Sequence, residues 1–133
     1  MSGPDSILQT ILDRYKGKTV LIDIWATWCI PCMQGHEKMK PLKEELSGKD
    51  IVYIYLTSAT SDYDKWKEYI TDISGEHYFL TQEQLDGIFQ QLNKNSYPTY
   101  AIFAPNGERT TSLSGFNLEA IREALEKALN EYQ

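Results

Sequence analysis

Val20-Leu21-Ile22-Asp23-Ile24-Trp25-Ala26-Thr27-Trp28-Cys29-Ile30-Pro31-Cys32 is an apolar run that ends on two cysteines three positions apart. From Thr19 to Trp25 the residues are nearly all apolar or β-branched, which suits a central strand buried on both faces. Asp23 interrupts that run. A helix is expected to open near Cys29 and to continue to about Leu46, with a kink at Pro41. The first cysteine then lies at a helix N-terminus. Unpaired backbone N–H groups and the positive end of the helix dipole stabilise a thiolate there. A spacing of three places the second sulfur one turn on, facing the first and less exposed. That asymmetry suggests a division of labour. Cys29 attacks a disulfide and forms a mixed disulfide, and Cys32 then attacks Cys29 and releases the reduced partner. The reverse sequence oxidises a substrate.

Helix and strand alternate on either side of this segment. Ser6–Tyr15 carries Ile7, Leu8, Ile11, Leu12 and Tyr15 on one helical face, with Asp5 or Ser6 as N-cap. Ser47–Asp50 reads as a turn and Ile51–Leu56 as a second buried strand. Asp62 is expected to cap a helix through Ile73, with Tyr63, Trp66, Tyr69, Ile70 and Ile73 inward and Ser74-Gly75 as its stop. His77–Leu80 reads as a short strand. Thr81-Gln82-Glu83-Gln84 is a capping-box pattern that opens a helix to about Leu92. A loop over Asn93–Ser96 leads to a strand over Thr99–Phe103. Asn106-Gly107 marks the tip of a hairpin, and Arg109–Leu113 pairs back. Asn117 is expected to cap a last helix through Tyr132, with Leu118, Ile121, Leu125 and Leu129 inward. The alternation argues for an α/β layered domain.

The chain has 133 residues, 41% of them hydrophobic and 16 aromatic (three Trp, nine Tyr, four Phe), enough for one core without a disulfide or metal staple. The net charge of −6 disfavours phosphate backbones and anionic membrane surfaces, so nucleic acid is not expected as a partner. No apolar run is long enough to span a bilayer. Met1–Ser6 lacks the basic and apolar regions of a signal peptide. Ser2-Gly3 after Met1 is equally consistent with a domain cut from a longer protein.

Two lone cysteines in one short motif point to reactivity or metal binding rather than to a disulfide framework. Zinc is the rival reading, because His36, four residues after Cys32, and His77 could complete a ligand set. Structural zinc sites usually pair two closely spaced ligand sets, and the second set is missing here. The preferred reading of both histidines is a solvated or hydrogen-bonded side chain, with no metal.

The strand, its acid, the Trp-Ala-x-Trp-Cys run and the proline before Cys32 resemble the active-site strand and turn of thioredoxins. Ser96-Tyr97-Pro98-Thr99-Tyr100 falls where that family has its cis-proline before a strand, and Gly115 matches its glycine after the hairpin. The resemblance spans about Thr19 to Tyr132. Within the family, the helix, strand and helix between Ser58 and Ser96 resemble the insertion of TlpA/ResA-like thiol–disulfide oxidoreductases.

The resemblance implies a thioredoxin-like three-layer α/β sandwich. It would have a central mixed sheet flanked by helices and an inserted βα unit before the cis-proline. A single such domain is expected over residues 1–133, cut from a longer anchored or multidomain protein. The implied catalytic residues are Cys29, Cys32 and Asp23, the last as the buried acid that shuttles the Cys32 proton; burial disfavours the charged form of such a carboxylate. The implied substrate surface is Trp28, Ile30, Pro31, Tyr97, Pro98, Gly115 and Phe116. Pro98 offers no N–H toward the sulfurs, and the Tyr97 backbone can pair with an extended strand. No cofactor beyond the dithiol is implied.

The expected activity is reduction of disulfides in protein substrates, fed by an upstream thiol electron donor. The protein is expected to be a monomer on the extracytoplasmic, periplasmic side of a bacterial cell, touching a membrane only through an anchor outside this chain. An oxidase or isomerase on the same fold, or a non-catalytic peptide-binding module, remains an alternative. Three positions depart from the family. Tyr97 is bulky, Ile30 replaces the common glycine between the cysteines, and Pro41 lies one turn farther along the helix.

Overall fold

The computed structural model describes residues 4–131, with side chains from Ile7 onward. One five-stranded sheet has the order β3-β2-β1-β4-β5. The central strand β1 (Thr19–Ile24) runs parallel to β2 (Ile51–Ser58) and antiparallel to β4 (Thr99–Phe103). β3 (Glu76–Leu80) extends the parallel side and β5 (Arg109–Ser114) the antiparallel side. The helices among the described residues are α1 (Pro4–Asp13), α2 (Ile30–Glu45), α3 (Tyr63–Tyr69), α4 (Gln82–Leu92) and α5 (Leu118–Glu131). This is the mixed α/β sandwich expected, with β3 and α4 as the unit ahead of Pro98.

All six residues of β1 are buried, because helices cover both faces of the sheet. Alternation sorts them. Val20, Ile22 and Ile24 join Ile54, Leu56, Ala101 and Phe103 under α1 and α4. Leu21 joins Tyr100 and Ile102 under α2 and α5. The fully buried side chains Ile22, Ile54, Leu85 and Ile88 each contribute roughly 1.5–3 kcal/mol through lost apolar exposure. Asp23 falls on the α2 face, in register with Tyr55 of β2 on one side and Tyr100 of β4 on the other.

Local signals hold at several ends. The Thr81 hydroxyl accepts from the Gln84 N–H, and the Gln84 side chain accepts from the Thr81 N–H, closing the capping box. Asn117 Oδ1 accepts from the Ala120 N–H at 3.0 Å and caps α5. The hairpin turns at Gly107, and a bulge at Thr110 shifts the register so that Ile102 faces Thr111 and Phe103 faces Arg109.

Other ends differ from the expectation. α1 begins at Pro4, so Asp5 and Ser6 lie inside its first turn rather than capping it; proline is well suited to the first helical position. The helix stops at Asp13, and Tyr15 lies in the turn beyond it, hydrogen-bonded to Tyr78 and Glu76. Trp25 lies one residue past β1, but its N–H still donates to the Leu56 carbonyl. α2 continues through Pro41 to Glu45. Tyr132, placed at the end of α5 from the sequence, lies outside the described residues.

The largest difference is in α3. Asp62 caps it as expected, but α-helix gives way to a 3-10 turn at Ile70–Asp72. The tighter turn breaks the helical phase, and α3 buries none of its residues. Tyr63 is 53% exposed rather than inward, stacked outside against Trp66 and Phe79. Ile73 is buried as expected. The chain then turns at Gly75, where a Cβ would stand 2.6 Å from the Tyr55 ring, so only glycine fits there.

Candidate active site

The last buried residues of the β1 segment deliver the chain to the head of α2. The Cys29 N–H donates to the Ala26 carbonyl at 3.0 Å, and this turn places Cys29 as the N-cap of the helix. Its Sγ accepts from the Cys32 N–H at 3.2 Å, which is the work a serine or aspartate would do at an ordinary N-cap. Pro31 sits in the first turn, where its missing N–H costs nothing. Cys29 and Cys32 form a disulfide, with Cα atoms 5.3 Å apart. Cys29 retains 4% exposure and Cys32 none.

The surface beside the disulfide is apolar and open. Trp28 is 56% exposed and Ile30 65%. The Trp28 indole stands edge-on to Tyr97, with centroids 5.0 Å apart, and its N–H reaches toward the Thr60 hydroxyl at 3.4 Å. Tyr97 rests in turn on Phe89 of α4. The Tyr97–Pro98 peptide is cis, as the resemblance implied, and Pro98 is buried. The Gly115 N–H donates to the Pro98 carbonyl at 2.9 Å, tying the loop after β5 to this segment. Phe116 takes a different position. Its ring packs against Tyr100 and above Gly35, within the cluster between α2 and α5, so it supports the helix rather than joining Trp28 and Tyr97. Beyond Tyr97 a groove of about 870 Å³ opens along α4, bordered by Thr60, Gln82, Asp86, Gln90 and Asn93.

Next to the apolar cluster of Trp25, Ala26, Tyr55 and Ile73 that packs on the two cysteines, a polar group is enclosed between the sheet and α2. Asp23 is 3% exposed, and its Oδ1 has no protein partner. Oδ2 lies 3.2 Å from Nε2 of His36, also 3% exposed, although the contact is not aligned as a hydrogen bond. His36 Nδ1 is 3.0 Å from the Tyr69 hydroxyl. Trp25 and Tyr55 meet the imidazole edge-to-face and fix its plane. A Cβ on the neighbouring Gly35 would lie 2.8 Å from the Tyr100 hydroxyl, so this turn of α2 seats directly on the sheet. Burial, reinforced by the charge of Asp23, pushes Tyr55 and Tyr100 well above the usual phenol range. Burial chiefly, with Glu37 and Asp23, raises Tyr69 to about 12. All three phenols are therefore uncharged near neutrality. Lys43 is lowered to about 8 by burial, partly opposed by Asp23; its ammonium lies over the Tyr53 and Tyr55 rings.

The two histidines serve different partners. His77 Nε2 bonds the Ile73 carbonyl at 2.7 Å, and its ring stacks on Tyr55. Among the described residues no three His, Cys, Asp or Glu side chains are grouped to hold a metal ion. The sequence places His36 on the helical face of Cys32, but nothing local in it joins His36 to Asp23. The available signal was the buried stripe Cys32, Gly35, His36, Met39 and Leu42, spaced three and four apart.

A cysteine pair that can close on itself without disturbing the helix it caps holds or releases two electrons in place. That capacity, on this sheet, defines a thiol–disulfide oxidoreductase domain. The chain belongs to the thioredoxin-like family, whose model, described as thioredoxin-like, matches residues 17–109. It is 33% identical over 111 residues to the thioredoxin-like protein YneN of Bacillus subtilis, covering 78% of this chain and 64% of that one. It is 25% identical over 126 residues to the thiol–disulfide oxidoreductase ResA of Geobacillus kaustophilus, covering 86% and 68%. Among solved structures, a thiol:disulfide interchange protein of Chlorobium tepidum superposes with a TM-score of 0.76 at 16% identity, covering 89% of this chain and 84% of that one. The chain spans less than two thirds of several curated relatives, 64% of YneN and 48% of the spinach M-type thioredoxin.

Proposed function

We propose that the protein uses this domain to reduce disulfides in other proteins, with Cys29 as nucleophile and Cys32 as resolving thiol. The observation that carries the reading is the asymmetry across the disulfide. Cys29 caps α2 beside an exposed apolar lip, and Cys32 is wholly enclosed. An extended substrate strand would lie across Trp28, Ile30 and Pro31 and pair with the backbone at Tyr97, with Pro98 and the Gly115 loop as its floor. Phe116 would act there only by holding that loop. Asp23 would receive the Cys32 proton. Substrates would be disulfide-containing proteins, and a thiol donor would restore the reduced pair. Resemblance to TlpA/ResA-like reductases supports an extracytoplasmic site of action, within a longer anchored or multidomain protein. No helix of the described residues is long and apolar enough to cross a membrane.

The direction of electron flow is tested by equilibrating the pair against a thiol buffer. A reduction potential well below about −200 mV marks a reductant, whereas a value above it marks an oxidant or isomerase. Cys32→Ser should accumulate mixed disulfides on Cys29, seen by non-reducing mass analysis. If Cys29→Ser/Cys32→Ser retains function, the domain is a peptide-binding module instead.

A further inference from the structure

We infer that His36 completes a proton path from the buried acid to the surface, so that Asp23, His36 and Tyr69 together carry the proton released when Cys32 becomes a nucleophile. The inference rests on the reading of Cys32 as resolving thiol and deepens it. His36 would not touch sulfur; it would act through Asp23, as a positioning and relay residue.

The geometry gives Asp23 a way out through α2. The acid is enclosed by the sheet and by α2, one oxygen has no protein partner, and the other faces the His36 imidazole at 3.2 Å, a contact that a small turn of the carboxylate brings into line for proton transfer. A proton accepted by an enclosed carboxylate blocks the next turnover unless it can leave, and burial makes exchange with bulk water slow. The opposite edge of the imidazole meets the Tyr69 hydroxyl at 3.0 Å. Tyr69 is half-buried and borders an open cavity of about 320 Å³ with Thr27, Met33, Lys65 and Glu68. The series carboxylate, imidazole, phenol therefore runs from the floor of the site to solvent. Imidazole suits the middle position because one ring nitrogen can accept as the other donates. The rings of Trp25 and Tyr55 hold it edge-on, so neither nitrogen can swing away.

The chemistry balances without an outside reagent. Cys32 S–H gives its proton through a bridging water to Asp23, and the proton moves on through His36 and Tyr69 to solvent. The sulfur electron pair forms the Cys29–Cys32 bond as the bond between Cys29 and the substrate breaks. The substrate sulfur leaves with that electron pair as a thiolate and takes a proton from water. The substrate gains two electrons and the cysteine pair loses two.

Several other groups face this path and set its field. They are Glu37, Lys40 and Lys43 from α2, Tyr53 and Tyr55 from β2, Asp72 from the 3-10 turn, His77 from β3 and Tyr100 from β4. Lys40 is tied to Glu37 and Asp72, and Lys43 to the Tyr55 hydroxyl and the Ser74 carbonyl. His36 also borders a second cavity, of about 560 Å³, with Lys40, Lys43, Thr71 and Asp72, but among the described residues Tyr69 is the group hydrogen-bonded to the imidazole.

The test follows the reduced protein reacting with dithiobis(nitrobenzoate). Attack by Cys29 releases a first coloured thiolate, and attack by Cys32 on the resulting mixed disulfide releases a second. His36→Gln should lower the ratio of second-phase to first-phase rate at least about tenfold at pH 7, the scale of a lost general base. The deficit should shrink as pH rises past about 8.5, where a thiol ionises unaided. Tyr69→Phe keeps the ring packing, removes only the outer link, and should lower the ratio about threefold. The proposal is overturned if both variants keep the parent ratio. It is also overturned if His36→Gln slows the second phase equally from pH 6 to pH 9, since loosened packing does that. If His36→Gln does not fold, Tyr69→Phe decides alone by the same ratio. Absence of the second phase in the parent protein would instead sink the reductase reading itself.

Discussion

The two sides of the Cys29–Cys32 disulfide are built to opposite rules. The outer side, Trp28, Ile30 and Pro31, is apolar and open, with Trp28 held edge-on against half-buried Tyr97 and by one long hydrogen bond. The inner side, Asp23, His36, Tyr55 and Tyr100, is polar and closed, with half-buried Tyr69 at its edge. A globular protein ordinarily does the reverse, hiding its apolar groups and leaving its charges in water. Inversion on both sides of one bond indicates that neither side is arranged for stability alone. Under the proposed function the lip would meet an apolar part of the substrate, and the floor keeps polar groups where water screens them little.

The sharpest way to break this comparison is at the floor. Asp23→Asn removes the buried charge and keeps the shape. One oxygen of Asp23 is unpartnered and its histidine is poorly aligned, so neutralising the group gives up little pairing. The variant should unfold in urea with about 1–3 kcal/mol more stability than the parent at pH 7. It should also resolve mixed disulfides about a hundredfold more slowly. Lower stability together with normal resolution would mean that Asp23 is a structural ion pair and that the floor obeys ordinary rules.

The lip gives a smaller effect of a different kind. Trp28→Ala removes the edge contact with Tyr97 and most of the exposed ring. We expect KM for a protein disulfide to rise about tenfold, the scale of one aromatic anchor. KM for a small aromatic disulfide should change less than twofold. Steady-state kinetics on both substrates separates the two. Equal losses on both would show that Trp28 supports the cysteine turn rather than a docking surface.

The two sides also differ in how well the sequence reveals them. The lip and the disulfide lie in one unbroken stretch, Trp28–Cys32, and the proline opposite announces itself by type, so local reading reaches both. The capping box of α4 and the Asn117 cap of α5 are legible for the same reason, since each signal lies within four residues. The floor is assembled across the fold. Asp23 comes from β1, Tyr55 from β2 and Tyr100 from β4, set side by side by sheet register, and α3 brings Tyr69 to them from another layer. His36 could be placed on the Cys32 face of α2, but its partner is thirteen residues away on another layer. Tyr63 was misplaced because periodicity assumes one continuous helix, and α3 tightens into a 3-10 turn after two windings.

Lys43 offers the finest measure of how closed the floor is. Its stem crosses the Tyr53 and Tyr55 rings, and its ammonium donates to the Tyr55 hydroxyl and the Ser74 carbonyl. Burial nevertheless dominates and lowers it to about 8, below its ordinary value of 10.5. Between those two values the unfolded chain holds a proton that the folded chain has lost, so this group makes stability rise with pH over that window. Above about 10 the buried phenols act in the opposite sense. Tyr53, Tyr55, Tyr69 and Tyr100 are raised in the fold, so the unfolded chain ionises first and stability falls. Urea midpoints of the oxidised protein should therefore climb modestly from pH 8 to pH 10 and then turn over. The rise is modest because Lys43 is only half-buried and solvent screens it. Lys43→Met keeps the stem on the tyrosine rings and removes the titration, so the climb should flatten while the fall above pH 10 remains. If the climb persists in the variant, another group supplies it, and the closed character of the floor does not extend as far along α2 as Lys43.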